Sequence, residues 1–238
     1  MPRKVKHLSQ DFQDGTFVEV VAYDVKPTDK YPEGYKYRFQ YGTRDGTILR
    51  YDNSHGKHDR HFGDNREDIG FEGLEEHLEL FFEEVEFLRR DGIITPHRRK
   101  PKMKTDKRET ETETEKIEEE TVLVLRSAPW EEFKETALRE VREFERGERQ
   151  PYHVRNFEDA TEIQRILTPK RLELIRSIME NEPDSMSEVS EQLGRGLREI
   201  HDDLHLLEKY EVVELRKEGR AKKPVVPYDR IKIEVDLQ

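Results

Sequence analysis

TPKRLELIRSIMENEPDSMSEVSEQLGRGLREIHDDLHLLEKYEVVELRKEGRAKKPVVPYDRIKIEV, residues 168–235, is the stretch that decides how the chain is read. Thr168-Pro169 signals a helix start: a side-chain oxygen for the free amides, then the residue that has no amide to leave unpaired. Leu172, Ile175, Ile178 and Met179 give this helix one apolar face, and Pro183 breaks it. Ser185-Met186-Ser187-Glu188 has capping-box spacing and opens a second helix, with Val189 and Leu193 inward and Gly194 at the turn. Leu197, Ile200, Leu204 and Leu207 are the inner stripe of a third. Val212 to Leu215 then reads as a strand, Arg216 to Lys223 as a basic loop with Gly219 at its tip, and Pro224 to Val235 as the return. Three helices followed by a cationic hairpin give the order of a mainly α winged helix-turn-helix domain, expected over residues 168–238.

Such a domain sets its third helix in the major groove and lays its hairpin along phosphates. The expected DNA-binding residues are therefore Arg195, Arg198 and His201 on the helix, with Arg216, Lys217, Arg220, Lys222 and Lys223 on the hairpin. Glu199, Asp202 and Asp203 stand among the readers and repel phosphate, so Arg195 and Arg198 lead the reading and the hairpin supplies much of the affinity. The expected partner is double-stranded operator DNA, met by a homodimer on a palindromic site. The plainer alternative is an inert three-helix bundle whose arginines pair with their own acids.

Upstream, Thr121 to Leu125 reads as a short buried strand. Ser127 is placed to cap a helix faced by Trp130, Phe133, Ala137, Val141 and Phe144, and Gly147 ends it. Tyr152 to Phe157 reads as a strand and Asp159 to Leu167 as a short helix, so residues 121–167 form an adaptor for packing or partner contact. Residues 100–120 hold almost no apolar side chain and alternate Glu with Thr, the composition of a charged linker.

Residues 1–99 read as an α+β domain, an antiparallel sheet with a long helix. Phe17 to Val25, Tyr35 to Tyr41 and Thr47 to Tyr51 are strands of a meander, the last two joined by Asp45-Gly46. Phe71, Leu74, Leu78, Phe81, Phe82, Val85 and Leu88 recur at helical spacing, and Arg89-Arg90-Asp91-Gly92 closes that helix over the sheet.

Only 32% of the 238 residues are hydrophobic and 41% are charged, which favours two small cores over one deep one. A net charge of -11 rules against general affinity for DNA or anionic membrane, yet local phosphate contacts can still bind a duplex. Zero cysteines exclude disulfides, thiolate zinc sites and cysteine nucleophiles. No apolar run is long enough for a membrane span, and Met1 to His7 lacks a secretory signal, so the expected location is cytoplasmic.

Between the halves of the N-terminal domain lies RYDNSHGKHDRH, residues 50–61. Histidine gives and takes protons near neutral pH, and RNA cleavage by a ribose 2′-hydroxyl needs a base, an acid and a cation but no metal or cofactor. Arg50, Asp52, His55, His58 and His61 are the candidate catalytic residues, with Lys57 or Arg60 as further cations and Tyr51 as a base-stacking ring. Three readings stay open: an acid/base site, a divalent-metal site using the histidines with Asp52 and Asp59, or a solvated loop. Function divides accordingly. One reading is a toxin–antitoxin protein with endoribonuclease activity in residues 1–99. The second is a winged-helix regulator that senses a ligand or metal and catalyses nothing. The third gives the N-terminal half a dimerisation role alone.

Two family resemblances favour the first. Leu167 to Leu174, Leu204 to Tyr210 and Glu218-Gly219-Arg220-Ala221-Lys222-Lys223-Pro224-Val225-Val226 make residues 121–237 resemble archaeal winged-helix antitoxins, which implies DNA binding and repression of their own operon. Arg50-Tyr51-Asp52-Asn53 followed by a histidine-rich loop makes residues 16–88 resemble the TumE-like toxins. The pair implies a toxin domain held in cis, or a separate cognate toxin chain, as protein partner and RNA as target.

Overall fold

The computed structural model of the chain describes residues 3–93, 121–148, 150–218 and 221–235, so the expected linker at 100–120 lies outside the described residues. The described residues fall into two compact units, the first from 3–93 with those of 128–158 and the second from 121–127 with those of 159–235. The first is a strand-rich sheet with helices and the second is mainly helical. Residues 121–167 are shared between them, Val122–Ser127 going to the second unit and 128–158 to the first.

The first unit contains β1 (Arg3–Asp11), β2 (Thr16–Asp24), β3 (Tyr35–Thr43), β4 (Gly46–Asp52), β5 (Asp59–Phe62), β6 (Asn65–Asp68) and α1 (Leu74–Arg90). After β7 (Val122–Ser127), which belongs to the other unit, come α2 (Trp130–Glu145) and β8 (Tyr152–Phe157). Strands run in the order β8-β1-β2-β3-β4-β5-β6, antiparallel throughout except that β8 lies parallel to β1. The Asp45-Gly46 hairpin and the three expected strands are present, but the meander is longer at both ends.

Period-two alternation fixes the two faces. Leu8, Val20, Phe39 and Tyr51 are aligned across β1 to β4 and buried on one face, beneath Leu78, Phe81, Phe82 and Val85 of α1 and Phe133, Ala137, Val141 and Phe144 of α2. Burying one such side chain contributes roughly 1.5–3 kcal/mol before entropy is set against it. Ser127 ends β7 and does not cap α2, whose N-cap position is Pro129.

The second unit holds α3 (Ala160–Ile166), α4 (Pro169–Asn181), α5 (Met186–Leu193), α6 (Leu197–Lys209), β9 (Glu214–Glu218), β10 (Ala221–Val225) and β11 (Arg230–Val235). Thr168 precedes α4 and its carbonyl accepts from Arg171 and Leu172, while its hydroxyl makes no cap bond. Ser185 Oγ accepts from the Glu188 amide at 3.2 Å, and the Glu188 carboxylate reaches back to the Asp184 amide at 2.8 Å, one residue earlier than a strict capping box. Gly194 takes φ 61 between α5 and α6, a left-handed turn that a Cβ would strain. β9 and β10 pair antiparallel as a two-stranded ribbon. Of the return read from the sequence, Pro224 and Val225 pair in this ribbon opposite Leu215 and Glu214, and Arg230–Val235 does not join it. Pro227 follows the end of β10, and β11 runs parallel to β7, fastened by Asp229 Oδ2 accepting from the Thr121 amide at 2.8 Å. Among the described residues no helix is long and apolar enough to cross a membrane.

Candidate functional site

The sheet face away from α1 and α2 carries two polar rows. Cross-strand pairing aligns Arg155, Ser9, Glu19, Gln40, Arg50, His61 and Arg66 in one. The parallel row is His153, His7, Val21, Arg38, Asp52, Asp59 and Asp68. Residues two apart on a strand share a face, so Arg50 and Asp52 sit beside Asp59 and His61 without any loop chemistry.

Arg50 Nε lies 2.7 Å and His61 Nε2 3.4 Å from the same oxygen, Asp52 Oδ2. Asp52 is buried, and its other oxygen accepts from the Ser54 amide at 2.8 Å. Burial works to raise the Asp52 pKa, but Arg50, the Ser54 amide and His61 outweigh it and hold the carboxyl below its usual range. The His61 pKa is pushed down, by burial first and by Arg50 next, so its imidazole is neutral at pH 7. Arg50 Nε, Asp52 Oδ2 and His61 Nε2 are all buried, yet none has an aligned hydrogen bond among the described residues. Buried polar atoms left in that state call for a ligand, an ordered water or a functional reason.

Next to this triangle Arg66 Nη2 donates to the buried Asp59 at 2.6 Å, and His55 Nδ1 stands 3.7 Å from the same Asp59 oxygen. Arg38 donates to Glu19 at 2.6 Å, and burial opposes while His7 and Arg38 hold the Glu19 carboxyl far below its usual range. The carboxylates of Asp52 and Asp59 lie beneath, and the side chains of Arg38, Arg50 and Arg66 keep 36%, 34% and 45% exposure. The groups that meet water on this part of the face are therefore mostly cations, despite the acidity of the whole chain.

Not every expected residue joins. His58 is on the helix side, stacked on Phe71 with ring centroids 3.8 Å apart and its Nδ1 3.0 Å from the Tyr37 hydroxyl. Burial lowers its pKa, opposed by Glu33. Tyr51 also faces the helices, donating to Glu84, and Arg60 pairs with that same Glu84. Lys57 pairs with Asp68. Asn53 is buried and bonded to backbone. Its side-chain amide spans the Tyr37 amide and the Tyr35 carbonyl, both at 3.0 Å, and so pins the end of β4 to β3. Arg38 and Arg66 were missed from sequence because only the strand register brings them to the site.

In the second unit the expected cations part company. Arg195 is nearly buried, bonded to Asp203, to Glu199 Oε1 at 2.9 Å and to the Lys170 carbonyl at 3.4 Å. Arg198 is exposed on α6, and His201 contacts His205 with ring centroids 4.3 Å apart. On the ribbon Lys217 faces Lys222 and Arg216 faces Lys223 across the ladder. Arg216 also pairs with Glu214 at 3.1 Å and Lys223 with Asp184 at 2.7 Å. Arg220 lies outside the described residues.

Family models match two separate parts of the chain. Residues 4–89 match the model described as Toxin TumE, and residues 166–233 match the model described as HVO_A0114. The first match supports a toxin–antitoxin context. No curated protein matches the sequence.

Proposed function

We propose that the chain joins a metal-independent RNA-cleaving toxin domain to a winged-helix DNA-binding antitoxin that also represses its own operon. The observation that carries the first half is the triangle that Arg50 and His61 form on the buried Asp52, where three buried atoms converge at a sheet face without aligned hydrogen bonds among the described residues. Asp52 beside Nε2 favours the tautomer with its proton there, so Nδ1 of His61 is the atom that accepts. In the proposed step His61 takes the proton of a ribose 2′-hydroxyl and the oxygen attacks the adjacent phosphorus. Arg50, with Arg66 alongside, neutralises the charge that develops on the phosphoryl oxygens. The 5′-oxygen leaves and takes a proton from an acid, the role proposed for His55, whose Nδ1 stands 3.7 Å from Asp59. His58, packed among aromatic rings, has no part in it.

The second half rests on the ribbon. Like charges set directly opposite each other destabilise a sheet, and β9–β10 has such a rung in Lys217 with Lys222, while Arg216 and Lys223 also face each other but pair with Glu214 and Asp184. A polyanion along the ribbon turns that cost into binding. Arg198 on α6 is the exposed base reader, and Arg195 braces the helix that carries it.

Cleavage of an unstructured RNA in chelator tests the toxin half. The full chain should be compared with residues 1–158, which keep every element of the first unit. The shorter chain should give 2′,3′-cyclic phosphate and 5′-hydroxyl ends, the full chain less of both, and His61→Ala should slow the shorter chain by about 10²-fold or more. Cleavage indifferent to His61→Ala, or none by either chain, ends the reading. For the other half, Lys222→Ala should weaken binding to all duplexes alike and reduce the salt slope by about 1, whereas Arg198→Ala should relax sequence preference.

A further inference from the structure

Residues 128–158 fall between the two family matches, yet they are built into the unit that holds the first. β8 extends the sheet along β1 with six residues in register, from Lys6 opposite Tyr152 to Asp11 opposite Phe157. α2 lies antiparallel along α1 and completes its cover: Phe82 meets Trp130 at 5.3 Å and Phe133 at 6.3 Å between ring centroids, and Tyr35 meets Phe144 at 5.8 Å.

The polar contacts are specific as well. Glu145 accepts from the Leu74 amide at 3.0 Å and from the Tyr35 hydroxyl at 3.3 Å, so α2 supplies the cap that α1 lacks at its own Gly73. Lys6 Nζ and Glu140 Oε2 form a buried ion pair at 2.7 Å. Asn156 binds Gln10, Arg142 binds Glu75, and Trp130 Nε1 donates to Glu86 at 3.0 Å. A strand added to a free edge, with an apolar helix face and matched charges beside it, is the form of a recognition element.

We propose that residues 128–158 are a docking arm, through which a chain carrying the C-terminal half grips a domain of the 4–89 type and keeps its grip without the covalent connection. The arm's helix α2 covers the face opposite Arg50 and His61, and its strand β8 adds at the β1 edge, four strands away from β5, so the arm anchors the domain and does not plug the charged site. Its partner surface is β1 with α1, offered in cis here or by a separate chain of the same kind. The inference needs neither RNA cleavage nor DNA binding.

The experiment uses the whole chain with a protease recognition sequence inserted between residues 105 and 115, cut after purification and run on a sizing column. The two pieces should elute together. Arg142→Glu should speed their separation by at least about tenfold, because it sets like charge against Glu75 at the rim, and Glu75→Arg in the same chain should restore the complex. Glu140→Lys should part the pieces and Lys6→Glu should rescue it, with the circular dichroism of the uncut variants confirming that they fold. Separation of the unmutated pieces, or co-elution that both charge reversals leave untouched, overturns the proposal.

Discussion

Arg50 and Arg195 both look, in sequence, like arginines meant for nucleic acid, and the two units use them in opposite ways. Arg50 has one carboxylate neighbour, Asp52, and a third of its side chain meets water. Arg195 has Asp203, Glu199 and a backbone carbonyl around it and keeps only a tenth. An arginine whose terminal nitrogens are met by acceptors has already committed those donors inside the protein. One that leans on a single buried acid can still turn toward a phosphate. Availability is thus set by how many acceptors converge, and the residue type says little about it.

The contrast is sharpest in stability. Asp52 sits under Arg50 and His61 and accepts the Ser54 amide, so Asp52→Ala strands a half-buried cation and a turn amide. We expect a loss of about 3–5 kcal/mol, read as the midpoint shift in urea unfolding of residues 1–158. A loss below about 1 kcal/mol would mean that the triangle is too loosely held to position anything.

Acid should separate the units next. His77 is buried on α1 among Tyr37, Tyr51, His58 and Phe71, and burial, with His58 second, pushes its pKa from 6.5 to about 4. The unfolded chain binds the proton more readily, so this contribution is whole above pH 6.5 and lost as pH falls toward 4. Its size is about 3 kcal/mol. His153, pushed to about 3 by burial and by His7, Lys4 and Lys6, works in the same direction. His77→Phe keeps the ring and removes the buried Nε2 that has no partner among the described residues. It should raise the melting temperature at pH 5 far more than at pH 7.5. Equal shifts at both would show that the imidazole is not the acid-sensitive group.

The same division explains what the sequence could show. β2, β3 and β4 were legible because Val, Phe and Tyr alternate with polar residues, and α4 to α6 because their starts and the Gly194 turn are local chemistry. β1 was not, since its buried set includes Lys6, His7, Ser9 and Gln10. Those residues look exposed until Glu140, Glu19 and Asn156, remote in sequence, satisfy three of them. The histidine-rich stretch passed for a loop, although Asp59–Phe62 is a strand and its hairpin partner brings in Arg66. Arg50 and Asp52 could be paired by period two alone, whereas the exclusion of His58 and Tyr51 depended on which face the helices cover.

The smallest expected effect is the most direct test of the opening contrast. Arg195→Met keeps the length of the side chain and removes its donors, while Asp203 retains Arg171 at 2.7 Å as a second partner. The cost should be about 1.5 kcal/mol, the scale of hydrogen bonds to a charged group, because the remaining acid is still compensated. Arg198→Ala, on the exposed side of α6, should stay within about 0.5 kcal/mol of the parent. Duplex affinity should respond the other way, with Arg198→Ala losing sequence preference and Arg195→Met binding as the parent does at temperatures where both are folded. If Arg195→Met instead left stability alone and abolished binding, the buried clamp would have to open toward DNA, and the distinction between the two arginines would fail.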